Sequence, residues 1–178
     1  GLCHNPDPSI GDAKLQTEYR LIHFNCARPL GTFDIENEFV RVFMAILPRI
    51  FTDADDFDGL RWHQHGVRRP DGAWRGMGDA LPHPEGMGAP DICTMAGWVS
   101  IEAMKEFTYS GRTHPPGMRR LASQLDRSAG AGFVMWWAPR EQIITLEDGW
   151  NRLEHLRRHG PTPEAFTLDH LIAKPVAA

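Results

Sequence analysis

Large apolar residues fall on both faces of the segments that read as strands, and this limits the fold more than any other feature. In YRLIHFNCAR (19–28) Leu21 is backed by Ile22, in ICTMAGWV (92–99) Met95 is backed by Trp98, and in GFVMWWAP (132–139) Trp136 adjoins Trp137. A sheet with one wet face alternates apolar and polar residues, so this pattern demands cover on both sides. A further strand-like segment is LRWHQHGV (60–67), the second in chain order.

Helical signals sit between these segments. Asp34 is placed to cap a helix with the stripe Ile35, Phe39, Val42, Phe43, Ile46 and Ile50, which Pro48 should kink or end. The acidic run 52–59 then turns the chain. Ser100 is a good cap for IEAMKEFTYS, with Ile101, Met104 and Phe107 inward. GRTHPP (111–116) breaks that helix, and MRRLASQL continues it. Thr145 and Asp148 form a capping box in its Asp form, opening a last helix that turns Leu146, Trp150, Leu153 and Leu156 inward and stops at Gly160 and Pro161. The order β-α-β-β-α-β predicts an α+β, ferredoxin-like split βαβ fold with a C-terminal helix. Its helices cover one sheet face. The simplest cover for the other is a second copy of the chain, so a homodimer is expected, with a pocket between sheet and helices.

At 178 residues and 20.1 kDa the chain suits one domain over 15–178, preceded by a flexible arm at 1–14 rich in Pro, Asp and Gly. Residues 68–90 hold five glycines and four prolines, a long loop that reads as a flap over the pocket. The net charge of −4 gives no footprint for nucleic acid, and Arg68-Arg69, Arg119-Arg120 and Arg157-Arg158 read as solvated surface. Three cysteines without CxxC spacing point to a reducing, cytoplasmic setting. No apolar run reaches the ~18 residues of a membrane span, and the first residues lack the layout of a signal peptide.

The chemistry-bearing candidates are histidines and their neighbours. His114 precedes a proline and should sit at a helix start, where the dipole keeps an imidazole neutral, fit to act as a general base or to ligate haem iron. His63 and His65 share a strand face at i and i+2, a spacing that can chelate a transition metal, although no glutamate follows. His23 and Asn25 share a face of the first strand; if Ile22, Phe24 and Cys26 pack under the helices, these two point toward the pocket, where the amide can steady a developing anion. Trp62, Trp98, Trp136 and Phe107 are candidates for gripping a flat, apolar ligand. Dinucleotide, NTP, serine-hydrolase and zincin motifs are lacking, so neither NAD nor a flavin is expected.

The segments FVMWWAPREQIITLEDGWNRLEHLRRHGPTPEAFT (133–167) and WVSIEAMKEFTYSGRTH (98–114) resemble a bacterial family of unknown function in the dimeric α+β barrel superfamily. The weaker signals are Asn25 with Arg28 and Trp98 with Ser100. That superfamily also holds the antibiotic-biosynthesis monooxygenases, haem-degrading enzymes and haem-dependent dehydratases. The resemblance implies a fold, a dimer and a pocket, and a histidine near position 114. The loop at 68–90 and Pro115-Pro116 depart from the family pattern. The expected function is a small-molecule tailoring enzyme of oxidoreductase or monooxygenase type, acting without flavin or nicotinamide on an apolar, aromatic metabolite through His114 or His23 as base and Asn25. The alternatives are a haem-dependent enzyme with His114 as axial ligand, and a non-catalytic dimeric ligand-binding or stress protein.

Overall fold

The computed structural model describes residues 18–81, 83–84, 86–111 and 114–176, excepting the side chains of 114, 115, 117 and 118. The arm expected at 1–14 lies outside the described residues. In chain order the elements are β1 (Tyr19–Pro29), α1 (Glu38–Asp55), β2 (Leu60–Arg68), β3 (Trp74–Arg75) and β4 (Asp91–Trp98). There follow α2 (Ile101–Lys105), continued by a wide π turn over Glu106–Ser110, then α3 (His114–Leu121), β5 (Leu125–Asp126), β6 (Phe133–Pro139) and α4 (Leu146–His159). The main strands are ordered β2-β4-β1-β6, all pairs antiparallel. β3 extends the β2 edge, and β5 pairs with the end of β1 beyond β6. This is the expected split βαβ sheet: β1 and β4, which lead into α1 and α2, lie at its centre. Among the described residues no helix is long and apolar enough to cross a membrane.

The first helix begins later than its stripe suggests. Asp34 spends its carboxylate closing a turn, accepting the N–H groups of Glu36 and Asn37, and leaves Ile35 exposed. Asn37 is the cap: its side-chain oxygen accepts from Phe39 and Val40, while its amide donates to the carbonyls of Leu30 and Thr32. Pro48 does not end the helix. It lies on the exposed side, away from the buried row Phe39, Phe43, Leu47, Ile50 and Ala54 that α1 turns toward the sheet.

Ser100 caps α2 as expected, accepting from the Ala103 N–H at 3.0 Å. The Thr145–Asp148 capping box opens α4, and Gly160, at φ 76°, lets the chain leave it.

The second sheet face is closed within the chain. Gly149 of α4 lies directly on the buried ring of Phe24, Arg152 covers Trp136, and Arg68 reaches up from β2 to the Trp150 ring. The cover that a second copy was expected to provide is α4 itself. Beyond α4, Phe166 exchanges backbone hydrogen bonds with Met135 of β6 and extends that edge.

The 68–90 segment is not a flap. Met77 and Ala80 are buried with Phe33, Phe39 and Val40 in a second apolar cluster, and the Trp74 indole donates to Glu147 of α4 at 2.6 Å. Its glycines serve turns, as at Gly72 (φ 87°) beside the β2–β3 pair, and its apolar residues anchor it to the core.

Candidate functional site

Strand register builds the site. In antiparallel sheets, directly opposed residues share a face, so the pairings set side chains in rows across the strands. One row runs Leu60, Trp98, Leu21, Trp137; the next runs His63, Ala96, His23, Met135; the third runs His65, Thr94, Asn25, Phe133. All three lie on the face opposite α4. Over them sit α1, the π turn after α2, and the α3 region, leaving a cavity of about 650 Å³.

The cavity floor is the second and third rows. Ala96 is the small residue between His23 and His63, and its lack of bulk leaves room above the sheet. His23 is 9% exposed and stands edge-on to Phe133, their ring centres 5.7 Å apart. Beside it, Thr94 Oγ1 donates to Asn25 Oδ1 at 2.8 Å. That bond fixes the amide and leaves Asn25 Nδ2 as a donor on the cavity wall. The roof is apolar: Phe39, Phe43, Leu47, Ile50 and Phe51 from α1, with Phe107 from the π turn. Arg119, Tyr109 and Arg127 complete the lining at exposed positions.

His63 and His65 are held differently from a chelating pair. The Phe51 ring stacks on both, at 5.2 and 4.5 Å, and His63 Nε2 bonds Asp55 at 2.9 Å. Burial under this ring, and then the neighbouring His63, push the His65 pKa below its ordinary value. Among the described residues no group of three or more His, Cys, Asp or Glu is placed to hold a metal. His114 opens α3, and its side chain lies outside the described residues.

Of the four aromatics expected to grip a ligand, the cavity takes Trp98 and Phe107, which pack together at 5.4 Å. Trp62 and Trp136 belong to the other face. Trp62 lies across Gly97, where any Cβ would come within 2.5 Å of its indole nitrogen, and Arg20 stacks on it. Trp136 lies beneath Arg152 of α4. Alternation along each strand separates Trp62 from His63, and Trp136 from Phe133. Thr94 and Ala96 were missed. Their signal was a polar and a small residue on one face of the otherwise apolar strand ICTMAGWV. Cys26 and Cys93 face each other across β1 and β4 at 2.8 Å, and burial pushes the Cys93 thiol up, as suits small core residues.

The sequence over residues 20–178 matches the family model described as domain of unknown function DUF3291. The chain belongs to this family. A search of curated proteins finds no match. Among solved structures, one similar fold is a dimeric ferredoxin-like protein of unknown function from Jannaschia sp. CCS1, at 14% identity and a TM-score of 0.41, covering 67% of this chain and 97% of that one. Another is SnoaB, a cofactor-independent oxygenase from Streptomyces nogalater, at 10% identity and a TM-score of 0.39, covering 71% and 98%. The fold of this DUF3291 member rests on its own strand order. The C-terminal stretch that carries its resemblance to the family docks α4 and the tail. Leu153 and Leu156 are buried against the sheet, and Arg157 ties the Ala131 carbonyl to Glu154.

Proposed function

We propose that this DUF3291 protein is an oxidoreductase of monooxygenase type that binds a flat, apolar aromatic metabolite in the cavity between sheet and helices. One observation carries the reading. A large, mostly apolar cavity holds an imidazole, His23, on its floor beside a fixed amide donor, Asn25, with Ala96 clearing the space above them. Such a pair suits removal of a proton from carbon next to a carbonyl: His23 accepts the proton, and the Asn25 N–H steadies the enolate oxygen. An electron-rich enolate within an aromatic system reacts with O₂ directly. A methylene is converted to a carbonyl, one oxygen atom enters the product and the other leaves as water. His114 stays in the proposal as a second base, because α3 continues to Arg119 and then Ala122 on the cavity wall.

The test uses a tricyclic hydroxyaryl ketone with an acidic benzylic methylene, following O₂ uptake and the quinone absorbance. One O₂ consumed per product is expected. His23→Ala and Asn25→Ala should each lower kcat by at least about a hundredfold, the low end for a general base or an oxyanion donor. His114→Ala should do the same while melting within a few degrees of the parent. Turnover unchanged in all three variants would sink the assignment. The same preparations decide the haem alternative, since axial ligation by His114 would give a Soret band that His114→Ala abolishes. A homodimer is part of the proposal, to be read as twice 20.1 kDa by light scattering.

A further inference from the structure

The cavity wall has an asymmetry of charge that its apolar character hides. Among the described residues, the side chains with a fixed charge on the lining are both cationic, Arg119 of α3 and Arg127 from the turn after β5, and no aspartate or glutamate lines it. Among the described residues neither arginine makes an ion pair. Two acids near this wall are committed elsewhere, while Asp169, which acts on Tyr109, is not on the lining. Asp126 accepts the Ser128 N–H at 2.9 Å and faces Arg28, and Asp55 is bonded to His63. Tyr109, also on the lining, has its pKa raised by partial loss of hydration and by Asp169, so it offers a hydroxyl donor and no negative charge. The chain as a whole carries −4 and repels anions weakly, so these two arginines form a local exception.

We propose that the ligand is an aromatic anion, its ring system lying along the sheet beneath α1 and its carboxylate or other acidic group meeting Arg119 and Arg127. The proposal rests on the cavity being the ligand site and adds the charge of the ligand to that reading. Two elements supply the arginines, so an acidic group on that wall meets cationic charge from more than one segment, while the rings cover Ala96 and reach toward Trp98 and Phe107. From Thr94 to Trp98 the floor runs four residues, about 13 Å at the rise of an extended strand, long enough for three fused rings. Aromatic rings alone would fit the roof. The arginines make the acidic group a condition of tight binding and set which end of the molecule lies over His23 and Asn25.

Two fluorescent probes with the same rings separate the charge from the apolar contact: 1-anilinonaphthalene-8-sulfonate, and N-phenyl-1-naphthylamine, which lacks the sulfonate. The anionic probe should bind about fivefold more tightly at low salt, the scale of two exposed ion pairs, and the advantage should shrink as salt screens it. Arg119→Gln with Arg127→Gln should erase the advantage and leave the neutral probe unchanged. Ala96→Phe, which fills the floor, should weaken both probes, with Ala122→Phe in its place if that variant does not fold. Equal affinity of the two probes for the parent protein, or an equal loss of both in the double arginine variant, overturns the role of charge while the cavity reading stands. Affinities untouched by the filling variants place the probes outside the cavity and overturn both.

Discussion

Gly149 offers a direct test of how α4 closes the sheet. A Cβ built there lies 2.4 Å from Cδ2 of Phe24 and 2.6 Å from Cγ, and Phe24 is wholly buried between β1 and α4. In an exposed helix, Gly→Ala stabilises by up to about 1 kcal/mol through backbone entropy. Here ordinary carbon contact needs the helix or the ring to retreat by more than an ångström, and overpacking of that kind costs roughly 1–3 kcal/mol. The ring is boxed in on the sheet side by Ile22 and Val134 and their neighbours in the same core. Overpacking should therefore win, for a net loss of roughly 1–2 kcal/mol. In a chain of this length that lowers Tm by about 2–8 °C. Differential scanning calorimetry and urea titration of Gly149→Ala measure it. Because the cavity lies on the opposite face, ligand affinity should not change. A variant as stable as the parent, or more so, would show that α4 is not pressed onto Phe24, and the intramolecular closure of that face would have to be abandoned.

The other expectations concern the edges of the site. The His65 pKa is depressed, so the unfolded chain binds the proton more readily; His65 favours the fold above its ordinary pKa near 6.5 and loses that contribution as pH falls below it. Tm should therefore drop between about pH 7 and 5, and His65→Gln should flatten that drop relative to the parent; equal slopes for the two would show that His65 is not the group responsible. Met77→Ala should cost about 2 kcal/mol, the low end for a buried methionine, lowering Tm while sparing probe binding. Intact stability with lost binding would return the 68–90 segment to the role of a flap.

Strands with bulk on both faces required a doubly covered sheet, and the caps at Ser100 and Thr145 marked where two of its helices begin. These are local matters of spacing and capping, legible without coordinates. Asp34 shows their limit: it has the chemistry of a cap, but the chain gives that role to Asn37, whose amide also reaches the carbonyls of Leu30 and Thr32. The 68–90 segment misled through composition. Glycine and proline announce turns, yet Met77 and Ala80 are drawn into the core by apolar neighbours distant in sequence.

For the site, alternation placed His23 and Asn25 on one face and His63 and His65 on another strand's matching face, which is as far as a single strand can speak. Which strands are neighbours, and in what register, is settled by long-range pairing. Only that pairing set His23 and His63 on either side of Ala96 and gave Asn25 its bond from Thr94, and only the docking of α4 decided which face Trp62 and Trp136 share with it. The stretch that speaks most clearly of kinship, through Leu153, Leu156 and Arg157, closes the face away from the cavity. Sequence alone determined that both faces must be buried, because apolar bulk on both sides of a strand cannot be left in water. Which face keeps a hollow was decided by the tertiary structure: α4 presses its glycine onto one face, while Ala96 and the apolar row of α1 stand apart on the other.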